Sequence, residues 1–279
     1  MLELPEAAVI SCQLQELIGG KRILNVTAGK TPHKFAWFFG DPEGYHALLA
    51  GKTVEEARAY GGHVELKIGD CRLSFNDGVN LRYLAPGEER PKRHQLLLEF
   101  EDFSALAATV QMYGGLYAFR EGENDSFYYL VSREKPSPLC EGFDEGYFLS
   151  LCGCEDYEKL SAKAFLATGQ RIPGLGNGVL QDILFRAGLS PRQRMGALGT
   201  EELSRLFDSL KVTLAGMALA GGRDTERDLF GCKGGYRCLM SKHTAGNPCP
   251  VCGERIVKET YLGGSVYYCP NCQPNKKGE

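Results

Sequence analysis

The stretch that decides the fold lies near the C-terminus, where residues 249–272 have the sequence CPVCGERIVKETYLGGSVYYCPNC. Two Cys-x-x-Cys pairs, Cys249 with Cys252 and Cys269 with Cys272, are separated by sixteen residues. Each pair can place two thiolates on one tetrahedral ion while the residues between the pairs form a hairpin. We therefore predict a structural zinc ion with all four positions filled by protein. Two redox or chance pairs are the alternative.

A glycine-rich turn lies upstream of this finger, where residues 170–191 have the sequence QRIPGLGNGVLQDILFRAGLSP. Main-chain N–H groups at Gly174, Gly176 and Asn177, with the helix N-terminus behind them, can hold a phosphate without a charged side chain. Taken alone, the glycines favour a plain corner between two helices. No hydrophobic strand precedes the turn, so it does not fit a dinucleotide-binding fold.

Two patterns divide the rest of the chain. Helical spacing of apolar residues predicts helices at 145–151, 161–168, 179–187 and 200–220, and another at 5–17 before Gly19-Gly20. Between residues 20 and 132 the short runs HVELKI, CRLSFN, HQLLLEF, ALAATVQMY and SFYYLV, separated by turn signals, predict an antiparallel β domain. A proline-containing stretch at 134–138 predicts the linker between the two regions.

Composition sets the class of protein. The chain has 279 residues, 43% of them hydrophobic, with no apolar run that reaches the roughly 20 residues a membrane helix needs. The first residues lack the features of a secretory signal, so we expect a cytosolic protein whose eleven cysteines are metal ligands or inert thiols. The net charge of -3 argues mildly against nucleic acid, but the location of the positive charge matters more.

Three separated motifs occur together in one order: ELPE at 3–6, IPGLGN at 172–177, and the finger ending in Cys272-Gln273. Together they resemble the formamidopyrimidine-DNA glycosylase and endonuclease VIII family over essentially the whole chain. The resemblance implies an α+β fold with an N-terminal helix and antiparallel β-sandwich at 1–134, a helix-two-turn-helix domain at 135–245 and a zinc-finger β-hairpin at 246–279. It also implies a monomer that grips damaged or abasic double-stranded DNA between its halves.

The resemblance also implies catalytic residues. In that family the amine of an N-terminal proline attacks C1′ of a damaged nucleotide to form a Schiff base, and the adjacent glutamate handles protons. Glu3 and Glu6 stand at the family's two glutamates, whereas Leu2 stands at the proline. A large second residue normally prevents removal of the initiator, so the candidate amine is that of Met1. Carboxylates that favour the helix dipole are the simpler explanation, and for Glu6 we favour it.

Candidate DNA contacts follow from the same resemblance. Met112 and Tyr113 approximate the family's loop arginine and phenylalanine, and they can insert into a duplex. Asn177 stands on the phosphate-binding turn, with an N-cap role as its alternative. Lys242 stands where the family carries a phosphate-binding residue, although exposed lysines are common.

Several positions depart from the family pattern. The segment 59–63 lacks the family's hairpin lysine, and 76–78 lacks its intercalating methionine. Gly264 stands where the family has the finger arginine that grips phosphates and supports strand cleavage. A DNA-gripping scaffold is thus predicted together with changed catalytic positions.

The leading prediction is a DNA repair glycosylase that excises a damaged base, with AP lyase activity left open because the proline is absent. One alternative is a non-catalytic DNA-binding protein of the same fold that recognises a lesion or a DNA structure. Another is a monofunctional glycosylase in which Glu3 activates water. Structural zinc is the expected cofactor, no membrane partner is expected, and the expected location is cytoplasmic, at the nucleoid.

Overall fold

The computed structural model describes residues 1–275, which form two β-sheets, a set of helices and a C-terminal hairpin. Residues 276–279, the end of the predicted finger segment, lie outside the described residues. The α+β class predicted from the sequence is confirmed.

The N-terminal helix, α1 (Leu4–Ile18), begins with a proline in its first turn, where the missing N–H has no cost. It buries Ile10, Leu14 and Ile18 at helical spacing and packs across the sheet that follows. The helix ends at Gly19, as the sequence predicted.

Two sheets follow α1 and enclose the first hydrophobic core. One sheet has the strand order β1-β7-β8-β6 and the other β2-β9-β5-β4-β3, and every pair is antiparallel except β2 with β9. A short helix, α2 (Tyr45–Leu49), lies between β2 and β3. The strands are β1 (Ile23–Ala28), β2 (Ala36–Phe38), β3 (Val54–Tyr60), β4 (His63–Ile68), β5 (Cys71–Phe75), β6 (Val79–Leu84), β7 (Leu96–Phe100), β8 (Ala105–Val110) and β9 (Gly114–Arg120).

The inner faces of the two sheets supply the apolar residues that hold this part together. Leu66 and Leu73 from one sheet and Leu98 and Leu106 from the other are fully buried in one cluster with the apolar face of α1. The predicted β-sandwich with a leading helix is confirmed.

The run SFYYLV, predicted as a strand, is instead part of a helix, α3 (Phe127–Glu134). Only Tyr129 and Ser132, three residues apart, are buried in it, while Phe127 and Tyr128 are more than half exposed. Tyr129 packs edge-on to the ring of Phe119 and donates a 2.6 Å hydrogen bond to the Glu65 carboxylate. The strand prediction was wrong because one tertiary anchor, rather than alternating burial, organises this aromatic segment.

Four helices enclose a second core. Phe148, Phe165, Leu184 and Leu210, one from each helix, are fully buried there. The helices are α4 (Glu145–Ser150), α5 (Ala162–Ala167), α6 (Leu180–Ala187) and α7 (Thr200–Leu219), so all four predicted helices in this region exist. Gly188 ends α6 with a φ of 70°, a left-handed conformation suited to glycine.

The C-terminal hairpin consists of β10 (Val257–Tyr261) and β11 (Gly264–Tyr268). A small cluster that includes Ile256 and Cys269 forms its core and packs against Phe185 of α6. The segment after α7 returns to the sandwich, because Leu229 is buried in the first core and accepts a hydrogen bond from the Tyr83 main chain. Domain limits at 134 and 245 stay predictions.

Candidate functional site

A cleft of about 720 Å³ is lined by the sandwich, the helical region and the finger. Leu2 and Glu3 reach it from the start of α1, and Asp77 from the turn between β5 and β6. Gly176 reaches it from the glycine turn and Gly264 from the finger hairpin. Segments that are far apart in sequence therefore meet in this cleft.

Glu3 lines the cleft although only 4% of its surface is exposed. It is the N-cap residue of α1, yet its carboxylate makes no capping hydrogen bond to that helix. Instead, Oε1 accepts from the Gly178 N–H at 3.0 Å and Oε2 accepts from the Val179 N–H at 2.8 Å. Both N–H groups lie at the start of α6, where the helix dipole favours an anion. Glu3 therefore occupies the anion-binding end of α6.

Glu6 follows one turn later in α1, and both carboxylates face Arg223, whose surface is 2% exposed. Arg223 donates from Nε and Nη2 to the two oxygens of Glu6, at 2.9 and 2.8 Å. Its Nη1 lies 3.4 Å from Oε2 of Glu3. The sequence interpretation missed Arg223, because an arginine that follows two glycines in a loop looks like an ordinary exposed one.

The proton affinity of Glu3 is set by opposing effects. The pKa of Glu3 is raised overall, because burial outweighs the lowering by Arg223 and by the N–H groups of Gly178 and Val179. Glu6 contributes a like charge that raises the same pKa. For Arg223, burial would lower the pKa, but the two carboxylates outweigh burial and hold the pKa above its ordinary value. The guanidinium therefore stays charged.

The glycine turn packs main chain against main chain. Gly174 has a φ of 77°, and a Cβ there would overlap the main-chain nitrogen of Gly62 in the turn between β3 and β4. Gly61 has a φ of 56°, and a Cβ there would lie 2.8 Å from Pro173. The turn that lacks the expected lysine is thus packed against the glycine turn, and neither has room for a larger residue.

The structure brings Gly174, Gly176 and Asn177 to the cleft together. Asn177 donates from Nδ2 to the Ser265 carbonyl at 2.8 Å, so the finger hairpin holds its amide. Within residues 1–275, the buried Oδ1 of Asn177 has no hydrogen-bond partner. A phosphate contact by these three residues stays a prediction.

Lys163 on α5 is a second residue that the sequence interpretation missed. It is 4% exposed and donates from Nζ to the Tyr261 carbonyl at 2.5 Å. Burial lowers the pKa of Lys163. A Cβ on Gly264 would lie 3.3 Å from this Nζ, so the fingertip position that lacks the expected arginine lies beside a buried lysine. The sequence feature that could have singled out Lys163 is the presence of a lysine within a short apolar helix.

Exposed apolar side chains stand at the edge of the cleft. Met112 and Tyr113, in the loop between β8 and β9, are 64% and 37% exposed. Trp37 of β2, which the sequence interpretation did not single out, lies with its ring centroid 5.9 Å from that of Tyr113. Residues of this type can enter the base stack of a duplex.

Lys242 is exposed beside a second cavity of about 200 Å³ that shares Asn177 with the cleft. Arg223 and Tyr267 also line this cavity. The predicted contact residue is therefore close to the cleft, although a DNA contact by Lys242 stays a prediction.

The start of the chain is held in place around the same cluster. Leu2 is 6% exposed, and its main-chain N–H donates to the Asp77 carbonyl at 2.6 Å. The Met1 amine pairs with Glu226, and Oε1 of Glu226 lies 4.0 Å from Nη2 of Arg223. Met1 thus lies beside the cluster, and the catalytic roles of Met1, Glu3 and Glu6 stay predictions.

The four predicted zinc ligands converge, with all four sulfurs within 4.8 Å of one another. The sulfurs of Cys249 and Cys272 are 3.8 Å apart, and those of Cys252 and Cys269 are 3.4 Å apart. A tetrahedral ion with Zn–S bonds of about 2.3 Å separates its sulfurs by roughly 3.8 Å. This sulfur-only set fits structural zinc and has no place for a catalytic water.

Comparison with known proteins agrees with this geometry. The family model described as "Zinc finger found in FPG and IleRS" matches residues 246–275. Formamidopyrimidine-DNA glycosylase of Shouchella clausii (strain KSM-K16) is 28% identical over 288 residues, covering 98% of this chain and 99% of that protein. The crystal structure of the MutM (Fpg) protein from Thermus thermophilus has a TM-score of 0.81 and 26% identity, covering 99% of this chain and 100% of the other.

The chain is similar over nearly its full length to formamidopyrimidine-DNA glycosylases. A further structure, wild-type Lactococcus lactis Fpg (MutM) in complex with DNA containing an oxidized pyrimidine, has a TM-score of 0.82 and 25% identity over 98% of this chain and 100% of the other. This similarity confirms the predicted resemblance, and the matched finger with its four converging cysteines confirms the structural zinc site. Within residues 1–275, no helix has both the length and the apolar character that a bilayer-crossing segment needs.

Proposed function

We propose that this protein is a DNA repair glycosylase that binds duplex DNA containing a damaged or abasic nucleotide and releases the damaged base. The observation that carries the proposal is Glu3, a buried carboxylate at the surface of a 720 Å³ cleft. The relatives matched along their full length are named formamidopyrimidine-DNA glycosylases, and the L. lactis structure contains lesion DNA. A cytoplasmic, nucleoid-associated monomer belongs to the same proposal.

DNA binding is assigned to the cleft and its edge. Taking a damaged base out of the duplex costs a few kcal/mol, least where pairing is already weak. Met112, Tyr113 and Trp37 offer exposed apolar surface to the stack left behind. The glycine turn and Lys242 are assigned to the phosphates, where N–H groups and a point charge suit an anion. The finger supports this surface through Asn177.

Base release is assigned to Glu3 acting on water. Both Glu3 oxygens accept main-chain hydrogen bonds and Arg223 lies against one of them, an arrangement that favours the ionised carboxylate, which is the state that activates a water molecule. The nitrogen of Leu2 is a main-chain amide bonded to Asp77, and that geometry does not suit attack on a sugar. We therefore propose hydrolytic release, with AP lyase activity weak or absent.

A second candidate is a lesion-binding protein without chemistry. It is favoured by Gly264 and by the Gly61-Gly62 turn, which supply neither the arginine nor the lysine of the family pattern. Retained DNA-gripping features and altered catalytic positions are what such a protein would have.

A base-release assay separates these candidates. Duplexes carrying a formamidopyrimidine or an oxidised pyrimidine are incubated with the protein, and free base is measured without heat or alkali. The glycosylase proposal expects release that Glu3→Gln lowers by at least about 100-fold, the usual contribution of a proton-transfer group. Glu16→Gln, an exposed carboxylate change on the same helix, is the matched control. Release unaffected by Glu3→Gln excludes a proton-transfer role, and binding without release supports the second candidate.

Borohydride trapping on a duplex with one abasic site, run beside a gel shift on the same DNA, tests lyase chemistry. We expect a retarded complex with little covalent product. A strong trapped species would overturn the hydrolytic assignment, because it requires an amine that forms a Schiff base. Mass spectrometry of the intact N-terminus then identifies which amine is present there.

A further inference from the structure

We propose that Arg223 is a positioning residue that favours the ionised, proton-accepting form of Glu3 at the cleft and so sets the pH range in which the site works. The inference rests on the proposed function for its catalytic consequence, but the geometry behind it does not. Arg223 touches neither substrate nor reacting atoms in this assignment; it acts through Glu3.

The fit of Arg223 depends on a small neighbour. A Cβ on Gly178 would run into Nη1 of Arg223 and would lie 3.0 Å from Oε1 of Glu3. Gly178 also supplies one of the two N–H groups that hold Glu3. This glycine therefore lets the guanidinium and the α6 N-terminus reach the same carboxylate. The cluster joins three separate segments of the chain: the start of α1, the start of α6 and the loop after α7.

The bidentate contact with Glu6 fixes the guanidinium in one orientation. Two parallel N–H···O bonds define both the position and the plane of the group, which a single contact cannot do. The main-chain N–H of Arg223 also donates to Oε1 of Glu6, at 3.2 Å. Glu6 therefore anchors Arg223, and Nη1 is left directed at Glu3. A role for Glu6 as anchor accounts for its burial without placing it in the reaction.

The charges around Glu3 shift its pKa in opposite directions. Loss of the Arg223 charge should therefore raise that pKa. Arg223 is the cation in contact with Glu3, while Glu6 raises its pKa through like charge. Main-chain N–H groups of α6 complete its hydrogen bonds, and no cationic side chain of α6 contacts it among residues 1–275. Other titratable groups near the cluster include Glu226 and the Met1 amine, which pair together, Asp77 and Tyr113 across the cleft, and Cys238 on the Arg223 side.

Titration of Glu3 tests the inference without any DNA. Protein labelled with ¹³C at glutamate carboxyls is followed by NMR against pH, and Glu3→Gln assigns the signal by its disappearance. Arg223→Gln should move the Glu3 midpoint upward by about one pH unit or more, the usual effect of removing an adjacent opposite charge. Arg223→Lys, which keeps the charge, should move it less. An unchanged midpoint in Arg223→Gln overturns the inference.

Gly178→Ala is a second variant that tests the same inference if Arg223→Gln does not fold. The added methyl group displaces the guanidinium from Glu3 while every charge stays in the chain. We expect the Glu3 midpoint to rise, by less than Arg223→Gln would give. If Gly178→Ala folds and leaves the midpoint in place, Arg223 does not control Glu3.

The pH profile of base release gives the catalytic consequence. The acidic limb of the rate should move upward with Arg223→Gln and stay near its original position with Arg223→Lys. A purely structural role would lower the rate equally at all pH values. If no base is released at any pH, the glycosylase proposal fails while the NMR titration still decides the role of Arg223. If base is released but neither the acidic limb of the rate nor the Glu3 titration midpoint moves, the proposed role of Arg223 is wrong while the glycosylase proposal stands.

Discussion

The zinc finger and the Glu3–Arg223 cluster are both buried arrangements of charged or ligating side chains, but their origins differ. The finger places four ligands within 24 residues, and the spacing Cys249–Cys252 and Cys269–Cys272 is sufficient to predict it. The cluster joins Glu3 and Glu6 to Arg223, which lies more than 200 residues further along the chain. A short-range pattern can be recognised in sequence, whereas a long-range ion pair depends on how the elements pack.

The finger and the cluster also differ in the interactions that stabilise them. Metal–thiolate bonds supply the stability of a small finger that has little apolar core of its own. In the cluster, a buried arginine is tolerated because two carboxylates compensate its desolvation, and main-chain N–H groups complete the hydrogen bonds of those carboxylates. Removal of one ligand should therefore unfold the finger locally, whereas removal of one charge should alter the proton affinity of its partners.

The largest expected effect is on the finger. Cys272→Ser should release zinc and unfold the hairpin, because structural zinc supplies about 10 kcal/mol or more of folding free energy in isolated fingers. Zinc content and protease resistance of the hairpin measure this, and duplex affinity should fall because Asn177 loses its Ser265 partner. Cys12→Ser, an exposed cysteine outside the cluster, is the control. Unchanged affinity in zinc-free protein would exclude the finger from DNA binding.

The next effect concerns the contact between the two glycine turns. Gly174→Ala should lower the free energy of unfolding by about 3 kcal/mol, through left-handed backbone strain and overlap with Gly62. Gly87→Ala is the matched control, since Gly87 has a φ of 86° with open space around it and should cost about 1 kcal/mol. Urea unfolding measures both. Equal losses in the two variants would mean that the turns do not need close packing.

A pH effect of similar size is expected at His63, beside the cleft. Burial lowers the pKa of His63 from 6.5 to about 4. The unfolded chain therefore binds a proton between pH 6.5 and 4 that the folded chain does not, and stability falls as pH decreases through that window. His63→Asn should remove roughly 3 kcal/mol of this pH dependence, because each unit of pKa difference corresponds to about 1.36 kcal/mol.

The difference between wild type and His63→Asn in urea unfolding at pH 7 and pH 4.5 isolates this contribution from the carboxylates. His243→Asn, which replaces an exposed histidine, is the control. Parallel stability curves for wild type and His63→Asn would mean that folding does not change the pKa of His63.

The smallest effect is expected at the edge of the cleft. Tyr113→Ala should weaken binding to an abasic duplex by about tenfold, the value of one stacked aromatic side chain, with stability changed by less than about 0.5 kcal/mol. Phe103→Ala, at an exposed turn between β7 and β8, should change neither property. Equal affinity of Tyr113→Ala and wild type in a gel shift would mean that Tyr113 does not enter the base stack.

Much of the architecture followed from local patterns. The leading helix and four later helices were predicted, as were strands β4, β5, β7 and β8 and the finger hairpin. The aromatic segment 126–131 was assigned as a strand, because β-prone residues dominate it. Its helix forms around Tyr129, whose partners Phe119 and Glu65 come from other strands. A local rule could not anticipate that anchor.

The candidate site divides in the same way. The sequence indicated Glu3, Glu6 and the glycine turn through a motif resemblance, and the structure brings Gly174, Gly176 and Asn177 to one cleft. Arg223, Lys163 and Trp37 were missed, since no spacing rule connects them to that motif. Each acquires its place through contacts across elements: Arg223 with α1, Lys163 with the fingertip and Trp37 with the β8–β9 loop.

The sequence by itself determined the zinc ligands, the helical and alternating segments and the resemblance to one family, because these depend on neighbours within a few residues or on motifs in fixed order. Tertiary structure alone decided which charges meet. Glu3 and Glu6 could have been ordinary first-turn carboxylates, and packing made them the partners of a buried arginine. The physical reason is that electrostatic interactions act between neighbours in space, and low-dielectric burial magnifies them only after the chain has folded.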